Sequence, residues 1–371
     1  MNTKDNYSSP QLIVNLSILL DKPTGISNYA QNIFPYLKSL NPTLLTAYNY
    51  PEFNCYSIPN NLTPAHGTAG HFRRLVWTQF QLPQIYQKLR GHSQSQTSQL
   101  LFSPLPEAPL HSNCRFVAMA HDLIPLRFPK RFSPLTLYHN YYIPQVLKQA
   151  QHVVCNSQAT ADDIIDFYQI PASKITPIHL AHDRTHFHYL NLPTRNYFLY
   201  IGRQDPYKNL HRLISAFATL PNYQDYELWL AGPTDPRYTP ALQMQVKELG
   251  ITNQVKFLNY VDYQELPIII NGAIALVFPS LWEGFGFPVL EAMACGTPVI
   301  TSNISSLPEV AGDATILINP YNSAEITAAM QTIASDAQLR SQLSQQGIAR
   351  ANLFSWEKTG NVTAEVLSRY L

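Results

Sequence analysis

ALVFPSLWEGFGFPVLEAMACGTPVIT, residues 275–301, spells out one complete structural unit. The apolar run Ala275–Phe278 reads as a buried strand, Pro288 opens a helix, Gly296 closes it, and Val299–Thr301 reads as the next strand. Strand, helix and strand in that order form the repeating unit of a parallel sheet. Between the first strand and the helix lie Glu283, Gly284, Phe285, Gly286 and Phe287. Glycines there let backbone N–H groups approach a ligand closely, and the helix start adds partial positive charge. Glu283 falls in the loop and Glu291 is expected in the first helical turn, so the two acids do not share a helix face. They are placed to hold two ends of one elongated, polyhydroxylated, anionic ligand. The ordinary alternative makes Glu291 a partner of the helix dipole, worth ~0.3–1 kcal/mol, and Glu283 a solvated loop acid.

The same alternation extends outward in both directions. Upstream in this half, Tyr197–Gly202, Glu227–Ala231 and Val255–Leu258 read as strands, with Thr315–Ile318 downstream. Helical patterns fill the gaps at Asn209–Ala218, Pro240–Leu249, Tyr263–Asn271 and Ser323–Arg350. The first half reads likewise. Leu12–Ile18, Phe116–Ala120 and His152–Asn156 are strand-like, while Ile26–Leu40, Ser133–Gln149 and Ala159–Tyr168 have helical spacing. A turn is expected at Lys22–Gly25 and a polar loop at Gly91–Gln99. At 371 residues, two cores are expected. The linker is placed at Leu190–Asn196, giving domains 1–189 and 190–355 and a last amphipathic helix over 356–371.

Composition narrows the function. Charged residues make up only 13% of the chain, against a usual ~25%. The net charge of +1 points away from a nucleic-acid partner. Residues 1–180 nevertheless carry 13 Lys+Arg against 8 Asp+Glu, and residues 181–371 carry 12 against 16. The N-terminal excess gathers at Arg73, Arg74, Lys88 and Arg90 and at Arg127, Lys130 and Arg131. Such patches suit either a solvated face or peripheral contact with an anionic membrane. Four widely spaced cysteines without a Cys-x-x-Cys pair read as reduced thiols in a cytoplasmic protein. The apolar run at Leu12–Leu20 is too short to span a bilayer.

A second cluster follows the Tyr197–Gly202 strand in YIGRQDPYKN, residues 200–209. Arg203 and Lys208 project from a βα loop, where a diphosphate would meet two cations and a helix start. Fixed cations that grip a departing diphosphate more tightly in the transition state speed its departure. Pairing of these cations with Asp205 is the ordinary alternative. GxGxxG and Walker patterns are absent, which disfavours dehydrogenases and P-loop enzymes.

Glu283 and Glu291 with GFGFP between them, together with IGR…PYKNL, resemble the donor site of retaining glycosyltransferases of family four. The resemblance implies a GT-B fold of two Rossmann-like α/β domains with parallel sheets facing across a cleft, the last helix crossing back to the first domain. It implies that Arg203 and Lys208 clamp the diphosphate and that Glu283 and the amides of Phe285, Gly286 and Phe287 orient the sugar, with Gly284 in the same substrate-binding loop. Glu291 would hold the ribose, with Val289 and Leu290 beside it in the donor site. Gly25, in Thr24-Gly25-Ile26, resembles the family's glycine loop near the donor phosphates and acceptor. His121, in HDLIP, resembles a histidine that reaches the donor sugar from the opposite domain. TGIxxY, HDLIP and the Arg74–Pro83 segment resemble bacterial polysaccharide mannosyltransferases. This implies a GDP-mannose donor and a glycan or glycolipid acceptor, with UDP-glucose or UDP-N-acetylglucosamine as alternatives. A non-catalytic nucleotide-sugar-binding subunit is a further alternative. No cofactor and no metal are expected. His179, His182, His186 and His188 have no Cys partner and no spacing that surrounds one ion.

Overall fold

The computed structural model describes residues 12–20, 25–90, 99–130 and 133–371. The expected Lys22–Gly25 turn and Gly91–Gln99 loop thus retain only Gly25 and Gln99, and Thr24 and Arg131 lie outside the described residues. The first sheet holds β1 (Leu12–Asn15), β2 (Thr43–Thr46), β3 (Asn54–Ser57), β4 (Leu100–Ser103), β5 (Phe116–Ala120), β6 (His152–Cys155) and β7 (Ile175–Pro177). Its spatial order is β3-β2-β1-β4-β5-β6-β7. The second sheet holds β8 (Tyr197–Ile201), β9 (Glu227–Ala231), β10 (Val255–Asn259), β11 (Ala275–Phe278), β12 (Val299–Ser302) and β13 (Ile316–Ile318), in the order β10-β9-β8-β11-β12-β13. Every pairing in both sheets is parallel.

Burial explains which strands were legible. Along β5 and β11 every residue is buried, because helices cover both faces of a parallel sheet, so these strands read as continuous apolar runs. The edge strand β3 (NCYS) is exposed at three of its four positions and carries no apolar signal. In each sheet the order reverses next to the first strand, between β1 and β4 and between β8 and β11. Ligands of open α/β sheets bind outside the carboxyl ends at such reversals.

Contacts divide the chain into two compact units, Met1–Leu180 with Trp356–Leu371, and Ala181–Ser355. Residues after Leu180 count with the second unit, ahead of the linker read from composition, because their hydrogen bonds go there. Arg184 donates to the carbonyls of Asn352 at 2.8 Å and Phe354 at 2.9 Å, and the Leu190 amide donates to Asn271 Oδ1 at 2.7 Å.

Several expected helices are interrupted for local reasons. The first α-helix, α1, covers Gly25–Ile33, and the chain then tightens into a 3-10 stretch at Phe34–Leu40, where Pro35 withholds an amide. The helix expected over 133–149 passes through a π turn at Tyr138–Tyr142. The one expected over 323–350 breaks at Asp336, whose carboxylate accepts the Leu339 amide at 2.8 Å and caps the helix that follows. Two helices not expected at all, α2 (Gly67–Phe80) and α3 (Leu82–Arg90), lie between β3 and β4.

The last helix, Trp356–Ser368, approaches the 3-10 stretch closely enough that a Cβ on Gly360 would lie 2.4 Å from Tyr36 Cβ. Gly360→Ala should therefore lower the unfolding free energy by about 1–3 kcal/mol through overpacking, seen as an earlier urea midpoint. An unchanged midpoint would show that the helix does not depend on this close packing.

Candidate active site

The loops leaving β8 and β11 carry the predicted cations and the first glutamate. Leaving β8, Gly202 has φ +150°, and a Cβ there would meet the Tyr200 hydroxyl at 2.8 Å. Tyr200 donates to the Arg203 carbonyl at 2.6 Å. Burial, and then the nearby charge of Glu283, push its phenol well above the ordinary value, so it stays a neutral donor. The chain next forms a 3-10 turn at Pro206–Lys208 and enters the left-handed region at Asn209 (φ +66°). Asn209 Nδ2 donates to the carbonyls of Pro279 at 3.0 Å and Pro320 at 2.7 Å. The Leu281 amide donates to Tyr207 O at 2.7 Å. These bonds stitch the β8 loop to the β11 loop.

Lys208 Nζ lies 2.6 Å from Glu283 Oε1, with both side chains almost wholly buried. The ammonium also sits 5.2 Å from the Tyr207 ring centroid and 5.3 Å from that of Phe278. Arg203 is different. Its side chain is 64% exposed and its Nε pairs with the buried Asp205 at 2.9 Å. The pairing with Asp205 weighed for both cations thus applies to Arg203 alone.

The GFGFP loop is held from below by two serines that sequence reading left unassigned. Ser305 Oγ accepts the Glu283 amide at 2.9 Å, and Ser306 Oγ donates to the carbonyls of Glu283 at 3.0 Å and Phe285 at 2.7 Å. Ser305 has φ +58°, strained for a residue with a side chain. Phe285 is buried, with Phe287 and Phe354 packed edge-on at 5.5 and 6.1 Å. Gly286, at φ +117°, opens the Phe287–Ala294 helix, and a Cβ there would meet Leu307 at 2.9 Å. Its carbonyl accepts the amides of Val289 and Leu290 at 3.1 and 3.2 Å, and both their side chains are fully buried. Those two positions belong to the helix core, while the loop before them contains Gly284.

Glu291 lies in the second turn of this helix, one turn further in than expected. A dipole partner belongs in the first turn, so that alternative fails. The residue is half-buried, and its carboxylate makes no hydrogen bond or ion pair among the described residues. Burial alone pushes its carboxyl up to about 7, and its charge, after burial itself, helps push the Cys295 thiol up to about 12.

In the first unit, Gly25 begins α1 after β1, and a Cβ there would meet open space. His121 follows β5. Its Nε2 lies 2.8 Å from the Pro104 carbonyl, which only accepts, so Nε2 carries the proton and Nδ1 presents a lone pair. Burial holds the imidazole below its ordinary pKa, in the neutral form. Asp122 instead accepts the Ile124 amide at 3.1 Å, a local structural bond.

The basic patches need correction. Arg74 is 3% exposed, and its guanidinium pairs with both carboxylate oxygens of Glu107 at 2.8 Å. Tyr138 also donates to Glu107, at 3.0 Å, and Ser103 Oγ bonds the Glu107 carbonyl at 2.7 Å. The network fixes the 103–107 loop, whose Pro104 carbonyl orients His121. Arg127 is partly committed as well, its Nε donating to the buried Asp163 at 2.9 Å. Arg74 is thus a positioning residue rather than a surface charge. Glu107, the lone acid between Glu52 and Asp122 in the sequence, was the available signal.

Two of the four histidines, His182 and His186, are committed to packing, while His179 and His188 are exposed. His186 stacks on Tyr263 at 3.8 Å and contacts its carbonyl at 2.7 Å, and burial pushes the His182 imidazole down to about 4. Among the described residues, no group of three or more His, Cys, Asp and Glu side chains is arranged to hold a metal ion.

A family model described as Glycosyltransferase Family 4 matches residues 23–186, and one described as Glycosyl transferases group 1 matches residues 182–350. O-antigen chain mannosyltransferase B of Escherichia coli is 32% identical over 69% of this chain and 70% of its own length. This chain belongs to glycosyltransferase family 4. O-antigen chain mannosyltransferase RfbU of Salmonella typhimurium is 29% identical to this family 4 member, over 87% of this chain and 90% of its own. Among solved structures, Anabaena HepE in complex with UDP and glucose matches with TM-score 0.72 at 19% identity, over 96% of this chain and 99% of its own. WaaG, a glycosyltransferase involved in lipopolysaccharide biosynthesis, matches at 0.68 and 14%, over 96% and 99%. These likenesses show the fold, two Rossmann-like domains with parallel sheets in the GT-B class.

Because the folded Glu291 carboxyl titrates near 7 and the unfolded one near 4.5, the native state holds the extra proton between those values. Stability from this group is present below about pH 4.5 and lost as pH rises through about 7. Glu291→Gln should match the parent at pH 5 and exceed it at pH 8 by up to about 3 kcal/mol in urea unfolding. Arg74→Ala strands the Glu107 charge and should cost about 3–5 kcal/mol, whereas Arg74→Met with Glu107→Leu should recover most of that loss. Equal losses in the single and double variants would show that the pair is not the source.

Proposed function

We propose that this family 4 glycosyltransferase moves a hexose, with retention of configuration and without a metal, from a nucleoside diphosphate sugar to a hydroxyl of a glycan or glycolipid. The Lys208–Glu283 contact at 2.6 Å carries this reading. Cleaving a sugar–phosphate bond calls for a cation at the departing phosphate and an acceptor group at the sugar hydroxyls, and the two meet here, beside the β8/β11 reversal. Arg203, open to solvent on one side, adds charge at the diphosphate. Glu283 and the amides of Phe285–Phe287 orient the sugar, Glu291 accepts the ribose hydroxyls, and neutral His121 offers Nδ1 to the donor sugar. The acceptor oxygen bonds to the anomeric carbon on the face that the diphosphate leaves. The anomeric C–O bond breaks, and a leaving phosphate oxygen takes the acceptor proton.

Mannose from GDP-mannose is supported by the names of the O-antigen mannosyltransferases that the chain resembles. A UDP-hexose donor is the second reading, favoured by HepE, which shares the fold and holds UDP and glucose. Diphosphate, ribose and hexose hydroxyls are common to both, so the residues assigned above do not choose the base. Thermal-shift titration with GDP-mannose, UDP-glucose and UDP-N-acetylglucosamine does, because a ligand stabilises the state it binds in proportion to affinity.

The glutamates should fail differently. Glu291→Ala loses charge-assisted bonds to ribose of about 1.5–3 kcal/mol each, so calorimetry should show weaker binding of donor and bare nucleoside diphosphate alike. Glu283→Ala should keep diphosphate binding and lose turnover. Arg203→Ala or Lys208→Ala should lower turnover roughly 10²–10³-fold. If Glu283→Ala loses diphosphate binding as badly as Glu291→Ala, the sugar-end and ribose-end assignments are wrong.

A further inference from the structure

Helix α2 is amphipathic in an unusual sense, because its outward face is apolar. Phe72 and Phe80 are each 68% exposed and Val76 is 39% exposed, a stripe at i, i+4 and i+8. The inward face carries buried Trp77, Thr78 and the Arg74 that pairs with Glu107. A second element beside α2 repeats the pattern. In the segment Pro134–Tyr142, Leu135, Leu137 and Tyr141 are 54%, 55% and 67% exposed. The two elements are neighbours, since Gln79 Nε2 donates to the Tyr142 hydroxyl at 2.8 Å and Arg74 and Tyr138 share Glu107. Large apolar side chains left in water on two adjacent elements mark an interaction surface.

Charge identifies the occupant. From residue 53 to residue 161 the sequence contains nine Lys+Arg, of which Arg74 pairs with Glu107 and Arg127 with Asp163, and two acids, Glu107 and Asp122. Glu107 is buried against Arg74, and Asp122 accepts a backbone amide. Helices α2 and α3 contain no acid at all, while α3 ends on Lys88 and Arg90. A second copy of this chain would set one basic surface against another, which repels. An anionic bilayer matches both features, since aromatic side chains enter the headgroup boundary and cations meet lipid phosphates. Among the described residues no helix is long and apolar enough to cross a membrane, so contact by this face is interfacial.

We propose that the α2 face with Pro134–Tyr142 docks on an anionic lipid bilayer and brings the transferase to an acceptor carried at that surface. The proposal rests on the transferase reading for the acceptor but not for the docking itself.

The test uses the full chain and co-sedimentation with vesicles of phosphatidylcholine alone or mixed with phosphatidylglycerol. The parent should bind the mixed vesicles, and binding should weaken as salt rises. Phe72→Ser with Phe80→Ser, both exposed, should lower partitioning roughly tenfold or more. Lys88→Glu with Arg90→Glu should abolish the preference for mixed over neutral vesicles. Parent-like binding by the phenylalanine variant would overturn the proposal. So would a parent dimer in size-exclusion chromatography that the phenylalanine variant dissolves, because a second copy would then cover the face. Donor-induced thermal shift is measured in parallel. Its absence in the parent would count against the transferase reading and leave the vesicle result standing, and its retention in the variants shows them folded.

Discussion

The buried ion pair between Lys208 and Glu283 is the interaction on which the candidate site depends. Two charges withdrawn from water cost several kcal/mol each, and their attraction roughly offsets that cost. Such a pair adds little to stability, so its value lies in what it holds ready. The two face each other in a buried corner walled by the rings of Tyr207 and Phe278. A ligand that carries both a phosphate anion and hydroxyl donors satisfies both partners at once. One carrying only one of these leaves the other group to its neighbour.

The pair has a fixed geometry because the loops beneath it are held by bonds that reach across the strand-order reversal. Asn209 ties the β8 loop to the carbonyls of Pro279 and Pro320, and Ser305 and Ser306 fix the backbone of Glu283 and Phe285. The left-handed backbone at Asn209 and Ser305 is the cost of this arrangement. Glu291 contrasts with Glu283. It has burial without a side-chain partner among the described residues, and burial raises its pKa.

In the first unit the same principle acts at longer range. Glu107 receives Arg74 and Tyr138, and this fixes the loop whose Pro104 carbonyl sets the tautomer of His121. Helix α2 therefore contributes in two ways, positioning through its inner face and offering an apolar stripe on its outer face.

Parallel strands buried on both faces, such as β5, β8 and β11, were legible because an apolar run bounded by turn residues has few other uses. Arg203, Lys208, Glu283 and the glycine loop were legible because they sit in short motifs beside those strands. Among the missed elements, β3 and α2 lie where exposure breaks the apolar pattern, whereas β2 (TLLT) and β4 (LLFS) are buried but begin or end on polar residues. The sequence by itself determined the α/β class, the two-core organisation and the motifs that follow β8 and β11, since these follow from local periodicity and motif spacing. Only the tertiary structure decided that Lys208 faces Glu283, that Arg203 faces Asp205, that Glu291 has no counter-charge among the described residues and that Arg74 is buried. Partnership and burial depend on residues distant along the chain, and local sequence carries no record of which charge a fold brings against another.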